Sequence, residues 1–120
     1  MDPIPYFFEP VNRNAIILKP KQAFLDWLQA TDPDKENPLT ILDEHNVYLI
    51  REMDSNDDVR RWVKKHFDQL FVNELNDWFT DEGLWPKNRT YSLFTSWFDV
   101  EVHSMVLDME EGPVEKDLEF

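Results

Sequence analysis

The chain has 120 residues, with 25 acids against 12 cations and a net charge of −13. That excess argues against non-specific binding to nucleic acid or to an anionic membrane surface. Hydrophobic residues make up 42% and cysteine is absent. The chain therefore reads as one soluble globular domain without disulfides, thiolate metal sites or a thiol nucleophile, suited to a reducing compartment.

Residues 1–14 carry Pro3, Pro5 and Pro10 around Tyr6-Phe7-Phe8. Three prolines oppose a helix or a central strand, so this segment reads as an extended arm whose rings pack on the body. No basic, apolar leader pattern is visible, which makes the cytoplasm the expected location. Residues 15–19 form a short strand, and Pro20 suits the first turn of a helix over roughly 20–30 that presents Phe24, Trp27 and Leu28. Residues 32–46 are loop-like, with one helical turn near 39–43. A second strand starts at Val47 and extends to about Glu52.

Ser55 reads as a helix N-cap with Asp58 three residues on. From there one helical stripe holds Val59, Trp62, Val63, His66, Phe67, Leu70, Phe71, Glu74, Leu75 and Trp78. Eight of these ten are apolar, which predicts an amphipathic helix over about 56–79. Gly83 and Pro86 punctuate the next segment. A helix over about 90–98 follows, with Tyr91, Phe94, Trp97 and Phe98 on one side. In the last strand, about 99–107, Val100 and Val102 alternate with Asp99, Glu101 and His103. The globular domain is expected to end near residue 108, leaving 109–120 as a loose acidic tail. The alternation of elements predicts an α+β two-layer sandwich: a three- or four-stranded sheet packed against one long and two shorter helices.

Several clusters have chemistry to test. Asp54-Ser55-Asn56-Asp57-Asp58 opens like a calcium loop, but Val59 stands where glycine is needed and Lys65 where a bidentate Glu is needed. Helix capping accounts for the run instead. Arg60, Arg61, Lys64 and Lys65 place four cations within six residues. Pairing with the protein's own acids is the plain reading, and a phosphate or acidic-partner site the sharper one. His66, inside the apolar stripe, reads as a satisfied, half-buried imidazole rather than a ligand.

Asp99, Glu101 and His103 share one strand face. Their ends lie about 13 Å apart along the strand, too far for one metal ion. A solvated face is therefore the plain reading, and an acid–base set the sharper one. Trp85, held extended before Pro86, either plugs the core or joins Arg89 as a partner contact. No glycine-rich phosphate cradle or nucleophile motif is present, so no catalytic residue, cofactor or metal is assigned.

The pieces Lys19-Pro20-Lys21, Phe24-Leu25-Asp26-Trp27, Tyr48-Leu49-Ile50, Leu84-Trp85-Pro86, Asn88-Arg89-Thr90 and Trp97-Phe98-Asp99-Val100-Glu101 with His103-Ser104-Met105-Val106 resemble a family of small acidic bacterial proteins. The resemblance spans roughly residues 15–108. It implies a free-standing bacterial cytosolic protein and supplies no activity. The function expected is protein–protein contact without catalysis, with Trp85, Arg89, Asp99, Glu101 and His103 as candidate contacts. Self-association stays open. The alternatives are an acidic inhibitor or immunity-type protein that neutralises a basic partner such as a nuclease, and a small enzyme using Glu101 and His103.

Overall fold

In the middle strand, burial alternates from Ile16 to Lys19. Ile16 and Leu18 point to one side and are fully buried, whereas Ile17 and Lys19 point to the other and are half-exposed. In the computed structural model, which describes residues 9–33 and 45–117, this strand is β2 (Arg13–Pro20). It follows a two-residue strand β1 (Glu9–Pro10) and precedes α1 (Gln22–Thr31), β3 (Asn46–Arg51) and α2 (Asn56–Asn76). A 3-10 turn (Glu82–Leu84), α3 (Tyr91–Trp97), β4 (Phe98–His103) and β5 (Leu107–Asp108) complete the order. The three-stranded sheet runs β3-β2-β4, wholly antiparallel, and β1 pairs with β5 in a separate antiparallel ribbon. Sheet and helices make the α+β two-layer arrangement.

The arm is more ordered than its prolines suggest. β2 begins at Arg13, inside the arm, and is the central strand. Pro20 closes this strand opposite Phe98 instead of opening a helix. A strand end tolerates the missing donor as well as a first helical turn does, and α1 starts only after Lys21, whose amide donates to the Trp97 carbonyl at 2.8 Å. The last strand also differs from the expected run. β4 stops at His103, and pairing resumes at Val106, whose carbonyl accepts the Val11 amide at 2.7 Å. Between the Ala15–His103 and Val11–Val106 contacts the N-terminal side has one residue more than the C-terminal side. That offset resembles a bulge and shifts the register. The rings of Tyr6, Phe7 and Phe8 and the turn near 39–43 lie outside the described residues.

α1, α2 and α3 lie on one face of the sheet. Their core joins Phe24, Leu25 and Leu28 of α1, Val59, Val63, Leu70, Phe71 and Leu75 of α2, and Phe94 of α3 to Ile16, Leu18, Ile50 and Phe98 of the sheet. It is an aromatic core. Phe71 contacts Phe94, Trp97 and Phe98 with ring centroids 5.4–5.9 Å apart, mostly tilted or edge-on, the arrangement that ring quadrupoles favour. All ten positions of the stripe are buried or half-buried. Ser55 caps α2 by accepting the Asp58 amide at 3.1 Å.

α2 is not continuous as a regular helix. His66 has φ −112° and ψ 16°, and its Nδ1 donates to the Trp62 carbonyl at 2.9 Å. A side chain that competes for an i−4 carbonyl bends the helix. The imidazole then stacks on the Trp62 indole, 4.3 Å between centroids. α2 ends at Asn76, short of the expected 79. There Phe79 turns its carbonyl to the Trp85 indole, which donates to it at 2.8 Å. Among the described residues no helix is long and apolar enough to cross a membrane.

Candidate functional site

With α1, α2 and α3 on one face, no helix among the described residues covers the other face of the sheet. Register defines its rows. Val47 of β3, Ile17 of β2 and Glu101 of β4 form one, and Leu49, Ala15 and His103 form the next. The β3 half is apolar, with Val47 58% and Leu49 49% exposed. The β4 half is charged. Lys19 pairs with Glu101, Lys21 lies 3.5 Å from Asp99, and Glu101 Oε1 accepts from His103 Nε2 at 2.7 Å.

The Lys19 ammonium, and after it the His103 hydrogen bond, hold the Glu101 carboxyl below its ordinary range. Because a charged carboxylate only accepts, His103 Nε2 is the donor in this hydrogen bond. This makes an oriented imidazole on an open surface. Among the described residues no three acids and histidines converge closely enough to hold a metal ion.

The remaining two candidates lie elsewhere. Trp85 is only 7% exposed and belongs to the core. Its indole caps the Phe79 carbonyl, while the neighbouring Leu84 carbonyl accepts the Trp27 indole N–H at 3.2 Å. Arg89 reaches across to α2: its Nε donates to Asp68 Oδ1 at 2.7 Å, and its Nη1 donates to the Pro86 carbonyl at 2.9 Å. The Asp68 hydrogen bond raises the guanidinium's pKa further. Neither residue joins the Asp99, Glu101 and His103 face. Of the four clustered cations, Arg61 pairs with Asp58 at 2.6 Å and Lys64 sits 5.7 Å from the centre of the Tyr91 ring.

Sequence reasoning missed a polar cluster on the inner face. Glu74 of α2 is buried against β3. The Tyr48 hydroxyl donates to its Oε1 at 3.0 Å, and the Asn46 amide donates to Oε2 at 3.1 Å and to Asp77 at 2.8 Å. Asn73 donates to the Tyr48 oxygen at 2.9 Å. Burial pushes the Glu74 carboxyl from its ordinary 4.5 up to about 7, against the lowering effect of the Tyr48 bond. Burial, and next the charge of Glu74, raises the Tyr48 hydroxyl too. One signal was available: Glu74 is the one acid in a stripe of which eight of ten positions are apolar.

Compared with protein-family models, with curated proteins and with solved structures, the chain matches none.

Proposed function

We propose that this chain acts by protein–protein contact, through the sheet face that its helices leave open. The observation that carries this reading is the pair of half-exposed aliphatic side chains on β3, Val47 and Leu49, set beside Ile17 and flanked by the ionic rows of β4. An apolar patch with a charged border is how recognition surfaces combine burial with orientation. β3 is also an edge strand of its sheet. Asn46–Arg51 contains none of the lysines or prolines that commonly blunt such edges. The cysteine-free composition supports a reducing compartment, the cytoplasm, as the setting of this activity in the same proposal.

The test compares the wild-type chain with a Val47→Lys, Leu49→Lys double variant as baits in the same extract. A partner held by the wild type and lost by the variant, with the melting temperatures of the two chains within a few degrees, supports the reading. Equal capture by both chains would remove this face from consideration.

A further inference from the structure

The exposed large apolar side chains are not scattered. Among the described residues, apart from Leu84, they are Val47 and Leu49 of β3 together with Met105, Leu107, Met109 and Val114 of the segment that follows β4. In that segment they interleave with Asp108, Glu110, Glu111 and Glu115. The segment is tied to the body by the β1–β5 ribbon and the Val11–Val106 bond, and it borders a groove of about 850 Å³. Pro10, Val11, Leu49, Pro113 and Val114 supply apolar wall, and Glu9, Asp108, Glu110, Glu111 and Glu115 supply five carboxylates.

Those carboxylates differ from the ones on β4. Asp99 and Glu101 each have a lysine. Among the described residues, none of the five around the groove has a cation within 4 Å. Two cations also line the groove: Arg13 donates to the backbone carbonyl and side chain of Asn12 instead, and Lys116 lies within 4 Å of none of the five, so the lining holds five acids against two bases. The groove thus sets an excess of negative charge beside exposed hydrocarbon. A small cation would answer the charge and leave the apolar wall wet. A second copy of the chain would bring a further −13 and repulsion. A polypeptide that alternates cationic and aliphatic residues answers both features, because in extended chain the two sets project to opposite sides.

We propose that this groove receives a basic, extended segment of a partner protein, its aliphatic side chains against Leu49, Val11 and Val114 and its cations against the surrounding carboxylates. The proposal rests on the protein-contact reading above and names the partner's chemistry.

Two short synthetic peptides of equal length and charge, one alternating Lys with Val and the other Lys with Ser, separate specific docking from bulk attraction. Each is titrated into the full chain at about 0.15 M salt and followed by amide chemical shifts. The Lys/Val peptide should bind at least about tenfold tighter, the effect of one buried aliphatic side chain, and should shift the amides of Val11, Leu49 and Val114. Val114→Asp, in a residue 66% exposed and remote from the core, should remove that preference, as should Leu49→Lys. Equal affinity for the two peptides would overturn the proposal by reducing it to net charge. Shifts centred elsewhere would overturn it too, as would concentration-dependent shifts of the same amides in the free chain, the signature of a second copy. If the peptides fail while the Val47, Leu49 double variant still loses its captured partner, the groove falls and the protein-contact reading stands.

Discussion

β2 is flanked by two strands, and each flank is fastened by a glutamate in a different medium. On the β3 side Glu74 reaches from α2 into the protein interior to take the Tyr48 and Asn46 donors. On the β4 side Glu101 bridges Lys19 and His103 in open solvent. The first carboxyl is pushed up to about 7 by burial and the second is pulled down by a lysine. The same functional group therefore keeps its proton up to near neutrality on one flank and is already charged there on the other. What differs is water: a buried carboxylate must be solvated by a few fixed donors, while an exposed one is solvated already and gains little from a partner.

This contrast sets a pH dependence. Glu74 holds its proton to higher pH in the folded chain than in the unfolded one, so the folded state binds more protons between pH 4.5 and about 7. Stability contributed by this group is greatest below pH 4.5 and is lost as the pH rises through about 7. Glu74→Gln abolishes that slope. Relative to the wild type, the variant should gain roughly 2–3 kcal/mol on passing from pH 5 to pH 8, measured by denaturant unfolding at both values. A difference between the two chains that stays constant with pH would show that Glu74 is solvated after all.

Tyr48→Phe removes the hydroxyl that donates to Glu74 and accepts from Asn73. It should destabilise the fold by about 1–3 kcal/mol at pH 8, the range for a lost bond to a charged group. The loss should shrink at pH 5, where a protonated Glu74 needs fewer donors. An equal loss at both values would assign the effect to packing alone.

On the opposite flank the effects should nearly vanish. Glu101→Gln removes the negative charge from both the Lys19 and the His103 contacts, yet the melting temperature should move by no more than about 2 °C. His103→Ala should behave alike. A larger drop in either variant would mean that the β4 rows hold the sheet together, and the two flanks would no longer differ in kind.

The elements were largely legible from residue order. The stripe from Val59 to Trp78 identified the buried side of α2, because a helix repeats every 3.6 residues whatever it packs against. Ser55 and Asp58 marked its start, since an uncapped first turn leaves amides unpaired. The alternation of Asp99, Glu101 and His103 with Val100 and Val102 placed the three polar residues on one face, as the register of β4 has them, while Phe98, expected in the preceding helix, opens β4 instead. The kink at His66 was not legible, because its cause is one ring nitrogen's choice of a carbonyl.

Local pattern and composition decided which residues turn inward and how acidic the surface is, since both follow from side-chain periodicity and formal charge. Partnership was decided by the folded chain alone. Lys19 meets Glu101 across 82 positions of sequence, Tyr48 meets Glu74 across 26, and Arg89 finds Asp68 rather than His103. Such meetings depend on strand order and register, and a one-residue change in register would turn every one of these strand side chains to the other face. The same dependence explains Trp85. Its place in the core follows from where the end of α2 leaves the Phe79 carbonyl, and a buried carbonyl must find a donor wherever the tertiary fold brings one within reach.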